Sequence, residues 1–194
     1  MTFYGFAKSI VNVIFRIIFR IKIEGRENIP KEGPLIICSN HISLLDPIMI
    51  AIAVPRPVSF MAKKELFENK ILEKLVLALN AFPVDREGSD LSAIRNSLKV
   101  LRENKALGIF PEGTRVEKMD LNATKSGIGL IAIKGQAPVI PIYIDSKYRI
   151  FSKVKITIGE AMDFQEFYDK KLNSEEYGNI SKEIMKSIYK LKEI

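Results

Sequence analysis

Leu35-Ile36-Ile37-Cys38-Ser39-Asn40-His41-Ile42-Ser43-Leu44-Leu45-Asp46-Pro47 changes pattern halfway along. Residues 35–39 form a short apolar run without a polar face, the mark of a strand covered on both sides. Asp46-Pro47 is a helix start, with Asp as N-cap and Pro at the first helical position. Ile48, Met49, Ile50, Ala51 and Ile52 then carry the helix towards Pro55. The stretch between is a strand-to-helix loop, where the sites of α/β folds gather. It contains the only histidine of the 194 residues.

Six more short runs bounded by Pro, Gly or polar residues read as strands: 21–24, 58–62, 81–85, 106–110, 139–144 and 154–158. Helical periodicity lies between them. The stretch 71–79 is very apolar, and Ser89 or Asp90 caps a helix carrying Leu91, Ile94, Leu98 and Leu101. Another helix covers 126–134, and the last starts at Ser174 with Ile180, Ile184, Met185, Ile188 and Leu191 on one face. Interleaved strands and helices predict an α/β domain with a largely parallel or mixed sheet.

The apolar fraction of 47% suffices for a sizeable core. A net charge of +7 favours an anionic partner: nucleic acid, anionic lipid or a phosphorylated metabolite. Aromatic platforms, zinc fingers and dense Lys/Arg runs are missing, which disfavours nucleic acid. The lone Cys38 forbids an internal disulfide, fits a reducing compartment and reads as core packing. Without a Cys/His cluster no metal site is expected.

Residues 1–23 divide off from the domain at 24–194. Phe3 to Ile23 is apolar but interrupted by Lys8, Asn12, Arg16, Arg20 and Lys22. A spanning helix needs about 18–20 nearly uncharged residues, so this stretch is not one. Nor does a signal-peptide cleavage site follow it. On a helix Lys8, Asn12, Arg16 and Arg20 step by four into one narrow stripe, and the remaining face is almost wholly Phe, Ile, Val and Ala. That shape suits a helix lying in a membrane interface. A helix covering the domain's own sheet needs a similar face, and the two readings are compatible.

His41 can act as a general base, worth roughly 10²–10⁴ in rate. Asp46, five residues on, can orient the ring if the segment turns back. Ser39 or Ser43 would complete a triad, but neither sits in a nucleophile elbow; the simpler reading has His41 deprotonating a substrate hydroxyl. Gly108-Ile109-Phe110-Pro111-Glu112-Gly113-Thr114-Arg115 has the glycine spacing of a phosphate loop but lacks its lysine, which argues against a kinase or ATPase. Arg115 remains as a phosphate or carboxylate anchor. Arg86, Lys63 and Lys125 lie just beyond strand ends or at a helix start and can join it.

Four blocks in order now make a resemblance. Asn40-His41-x4-Asp46, Phe82-Pro83-Val84-Asp85-Arg86, Phe110-Pro111-Glu112-Gly113-Thr114-Arg115 and Ala137-Pro138-Val139-Ile140-Pro141 resemble the motifs of bacterial 1-acylglycerol-3-phosphate acyltransferases, in the wider glycerolipid acyltransferase superfamily. The resemblance implies a seven-stranded mixed sheet flanked by helices, the glycerol-3-phosphate-acyltransferase-like fold, behind an N-terminal membrane-associating helix. It implies His41 as base, Asp46 as its orienter, and Arg115, Glu112, Gly113, Thr114, Arg86, Lys63 and Lys125 in the acceptor site. The fourth block is linked to acyl binding or packing. The substrates implied are lysophosphatidate and an acyl thioester, of acyl carrier protein or coenzyme A, with no cofactor besides. The implied place is the cytoplasmic face of the cell membrane, peripheral or monotopic. Three departures stand out: Val116-Glu117 follows the third block in place of Ser-Arg, Asn80 stands where a glycine often precedes the second, and Lys125-Ser126-Gly127 lacks the usual neighbouring phenylalanine.

Overall fold

The computed structural model describes residues 3–78, 80–84, 91–116 and 127–193. After helix α1 (Phe3–Ile18) come strands and helices in the order β1 (Arg20–Glu24), β2 (Leu35–Ser39), α2 (Asp46–Ala53), β3 (Val58–Lys63), α3 (Lys70–Ala78), β4 (Phe82–Val84), α4 (Leu91–Arg102), β5 (Ala106–Ile109), α5 (Gly127–Gly135), β6 (Val139–Ser146), β7 (Lys153–Ile158) and α6 (Ser174–Lys190). All seven expected strands form, in one sheet ordered β1-β7-β6-β2-β5-β3-β4. Only β6 and β7 pair antiparallel; the other neighbours are parallel.

Alternate residues of β2 feed opposite layers, which explains its unbroken hydrophobicity. Leu35 and Ile37 face a core shared with α1, α2 and Val76 of α3. Ile36 and Cys38 face the layer of α4, α5 and α6. Cys38 is fully buried, and burial pushes its thiol well above the ordinary range, as packing rather than reactivity requires.

The topology places the site. β2 continues through α2 to β3 on one side of it, and β5 continues through α5 to β6 on the other, with α2 and α5 on opposite faces. The crevice between the loops leaving β2 and β5 is thus a topological switch point, at the carboxyl ends of parallel strands. Because β7 and β1 run against the rest, the end of α1 and the β6–β7 turn reach that same edge.

Two expectations need correction. Helix α1 ends at Ile18 and Arg20 opens β1, so Arg20 leaves the helical stripe. Residues 20–23 also pair with β7 and belong to the sheet, so the boundary at 23 falls inside a strand. Within α1, Val11, Phe15 and Ile18 pack on the core, while Ile10, Val13, Ile14 and Ile17 are exposed. Leu79, the caps Ser89 and Asp90, and Ser126 lie outside the described residues.

Candidate active site

His41 lies two residues past β2, and its ring Nδ1 is 2.9 Å from Asp46 Oδ2. A carboxylate only accepts, so the shared proton belongs to Nδ1 and the lone pair to Nε2. Among the described residues nothing bonds Nε2, and the side chain is 14% exposed.

Asp46 reaches the ring because it is not the N-cap expected of it. Leu45 precedes the helix, and Asp46 is the first helical residue. Its carboxylate turns back into the loop: besides the ring, Oδ2 accepts from the N–H groups of Ile42 and Ser43, each at 2.7 Å. Oδ1 accepts from the Tyr148 hydroxyl at 2.6 Å. Four donors, three on Oδ2 and one on Oδ1, satisfy a fully buried carboxylate. Burial, then the neighbouring Asp46 charge, push the Tyr148 phenol far above its ordinary value, which keeps it a donor.

The loop after β5 grips His41 by its backbone. The His41 N–H donates to Glu112 Oε2 at 2.8 Å, and its carbonyl accepts from the Val116 N–H at 2.9 Å. Glu112 Oε1 accepts from the Tyr189 hydroxyl of α6 at 2.6 Å. The turn needs Gly113 at φ +68°, where a Cβ is strained. The His41 ring stacks on Phe110, centroids 4.1 Å apart and planes 20° off parallel. Phe110 stacks in turn near Phe60, and Phe60 fits only because Gly108 has no Cβ: one there would meet its ring at 2.3 Å. At the end of β2, the Asn40 amide bonds the N–H and C=O of Ile144, extending the β2–β6 ladder with a side chain.

Neither serine completes a triad. Ser39 Oγ donates to Asn40 and is buried; Ser43 Oγ accepts from the Leu45 N–H.

Expected acceptor residues fall into three groups. Arg115 and Thr114 are exposed on the loop that holds His41, Arg115 next to the Val116 that bonds the His41 carbonyl. Lys63 is exposed at the end of β3, on the same edge of the sheet, 3.9 Å from Glu65. Glu112 is 4% exposed, and both its oxygens are engaged, by the His41 N–H and the Tyr189 hydroxyl. Burial holds its carboxyl above the ordinary range, against the opposing bonds from Tyr189 and the His41 N–H. Arg86 and Lys125 lie outside the described residues. In the fourth block Ala137, Val139 and Ile140 are fully buried at the other end of β6. Asn80, in the glycine's place, sits at φ +50°, a conformation asparagine tolerates better than most. A cleft of about 1150 Å³ lined by Arg56, Asn80, Phe82, Lys99 and Lys105 opens where the parallel strands begin, away from His41.

An acyltransferase family model matches residues 20–145. The 1-acyl-sn-glycerol-3-phosphate acyltransferase of Bacillus subtilis is 34% identical over 84% of each chain. This chain belongs to that family. The Streptococcus pneumoniae member is 28% identical over 98% of this chain and 74% of its own. The crystal structure of the 1-acyl-sn-glycerophosphate acyltransferase from Thermotoga maritima covers 97% of this chain and 79% of its own, at 26% identity and a TM-score of 0.76. The family match spans both loops that build the His41 site.

Nothing local in the sequence marks Tyr148 or Tyr189. Each buries a phenol that needs a polar partner, the one signal they carry. Their partners are 102 and 77 residues away, which no local pattern encodes.

Proposed function

We propose that this acyltransferase moves a fatty acyl group from an acyl thioester to the sn-2 hydroxyl of 1-acylglycerol 3-phosphate, with His41 as general base. The observation that carries the reading is the His41–Asp46 bond, which leaves Nε2 unbonded beside the loop that presents Arg115. Nε2 takes the hydroxyl proton as the oxygen attacks the thioester carbonyl. The tetrahedral intermediate collapses, the C–S bond breaks, and the imidazolium protonates the departing thiolate. Phosphatidate and a free thiol result, and the base is restored without an acyl-enzyme. Arg115 and Lys63 grip the phosphate, with Arg86 and Lys125 assisting. Asp46 fixes the tautomer and stabilises the imidazolium; Tyr148 positions Asp46, and Glu112 with Tyr189 positions the His41 backbone. The reaction uses no metal or redox cofactor, and nucleic acid is not a partner.

The enzyme works at the bilayer surface, on its cytoplasmic face. The exposed Ile10, Val13, Ile14 and Ile17 of α1 form a lipid-facing stripe. No helix among the described residues is long and apolar enough to cross a membrane.

Purified protein assayed with lysophosphatidate, glycerol 3-phosphate and no acceptor, against acyl carrier protein and coenzyme A thioesters, tests this. Phosphatidate with thiol release that depends on lysophosphatidate is expected. Equal thiol release without acceptor would make the protein a thioesterase.

A further inference from the structure

The turn joining β6 to β7 reads Lys147-Tyr148-Arg149-Ile150-Phe151-Ser152-Lys153. Ile150 is 74% and Phe151 66% exposed, among the most exposed large apolar side chains described. One exposed apolar residue is ordinary. Two adjacent bulky ones at the tip of a bonded turn are not.

This turn is rigidly built. Phe151 donates its N–H to the Ile18 carbonyl at the end of α1 at 2.7 Å, and Arg20 donates to the Ser152 carbonyl at 3.0 Å. Ser152 N–H bonds the Arg149 carbonyl, and its hydroxyl accepts from the Arg149 N–H. Below, Tyr148 meets the Phe19 ring edge-on and bonds Asp46. Both Tyr148 and Phe151 have positive φ, +46° and +60°, which is unusual for bulky side chains. An unfavourable backbone therefore projects a largely exposed aromatic ring outward.

Three exposed cations, Lys147, Arg149 and Lys153, alternate with the apolar tip. Interleaved cations and apolar groups match a surface with anionic headgroups above acyl chains. A second copy is a poor occupant, because each would bring a net charge of +7 against the other. Leu44 of the His41 loop, 70% exposed, and Ile17 of α1, 67% exposed, lie at the same edge of the sheet.

We infer that residues 147–153 are a second lipid-contacting element, seating Ile150 and Phe151 in the interface of an anionic bilayer beside the catalytic loop. This rests on the membrane reading above and extends it from α1 to the turn that holds Asp46.

The chain contains no tryptophan, so single probes report cleanly. Phe151→Trp, Ile150→Trp and, as a reference on α1, Ile17→Trp are titrated with vesicles of phosphatidylcholine plus phosphatidylglycerol, with and without brominated acyl chains. Both turn probes should shift to shorter wavelength and be quenched, and should respond less to phosphatidylcholine alone. An Ile150→Ser/Phe151→Ser double variant should lower vesicle partitioning about tenfold or more. It should retain acyl transfer to a water-soluble short-chain acceptor within about twofold, since neither residue touches the dyad. A shift at Ile17→Trp with silent turn probes would overturn the inference while leaving docking through α1 intact. Equal responses to neutral vesicles would overturn the anionic preference. Failure of acyl transfer to the soluble acceptor by the parent chain would instead strike the proposed function.

Discussion

Around His41 both backbone groups and one ring nitrogen are bonded, and the ring is stacked. Arg115 and Lys63 are exposed, and Lys63 makes a long ion pair with the exposed Glu65. Rigidity at a base fixes the direction of its lone pair before substrate arrives, so little reorganisation remains for the reaction. Exposed cations suit capture instead, staying hydrated until an anion brings charge-assisted hydrogen bonds. The contrast divides the expected effects of substitution between turnover and affinity.

The largest effect belongs to the rigid half. His41→Ala should lower kcat at least about 10²-fold while the melting temperature stays close to the parent's; an unchanged kcat would remove His41 from the chemistry. Next comes the loose half. Arg115→Ala should raise the acceptor KM about 10–10²-fold with little change in kcat, the loss of a charge-assisted pair that ground and transition states share. A fall confined to kcat would mean that Arg115 acts on the transition state instead.

Smaller effects test the support behind the rigid half. Tyr148→Phe removes one donor from the buried Asp46, and kcat should fall about 3–10-fold with KM for the acceptor unchanged. A purely structural role would lower stability and leave kcat per folded molecule intact. The smallest effect is on stability. Burial holds the Glu112 carboxyl above its ordinary value, so the folded protein binds that proton more tightly than the unfolded chain does. The associated stability is present below the ordinary carboxylate range and fades as pH rises through the folded value. Glu112→Gln keeps an acceptor for the His41 N–H and offers Tyr189 a donor, without a charge to desolvate. Melting curves should therefore show the variant gaining on the parent from acid to neutral pH; the reverse trend would mean that the ionised carboxylate is the better-held form.

Much of this was readable from the chain. The central strands announced themselves because a two-sided sheet demands unbroken apolar runs, the edge strand β1 and its neighbour β7 alternate instead, and the described strands agree with expectation within a residue or two. β6 runs furthest beyond expectation, through the polar Asp145 and Ser146, because the antiparallel pairing with β7 extends it; β1, β3 and β7 each gain one residue. The pairing of His41 with Asp46 was legible because five residues of loop suffice for the return. The means of that return were not: Asp46 is held by loop amides and by Tyr148, and a cap motif looks the same in sequence. Glu112 shows the same limit. Its place in the motif suggested an acceptor contact, whereas the packing of α6 on the sheet brings Tyr189 over it and turns it inward. Long-range partners depend on strand order, which periodicity does not carry.

That His41 acts on the acceptor's own hydroxyl, and not on Ser39 or Ser43, is tested most directly by rapid mixing of enzyme with acyl thioester in the absence of lysophosphatidate. The expected result is no burst of thiol, followed by prompt release once lysophosphatidate is added. A burst equal to the enzyme concentration before any acceptor is present would show an acyl-enzyme and contradict direct transfer.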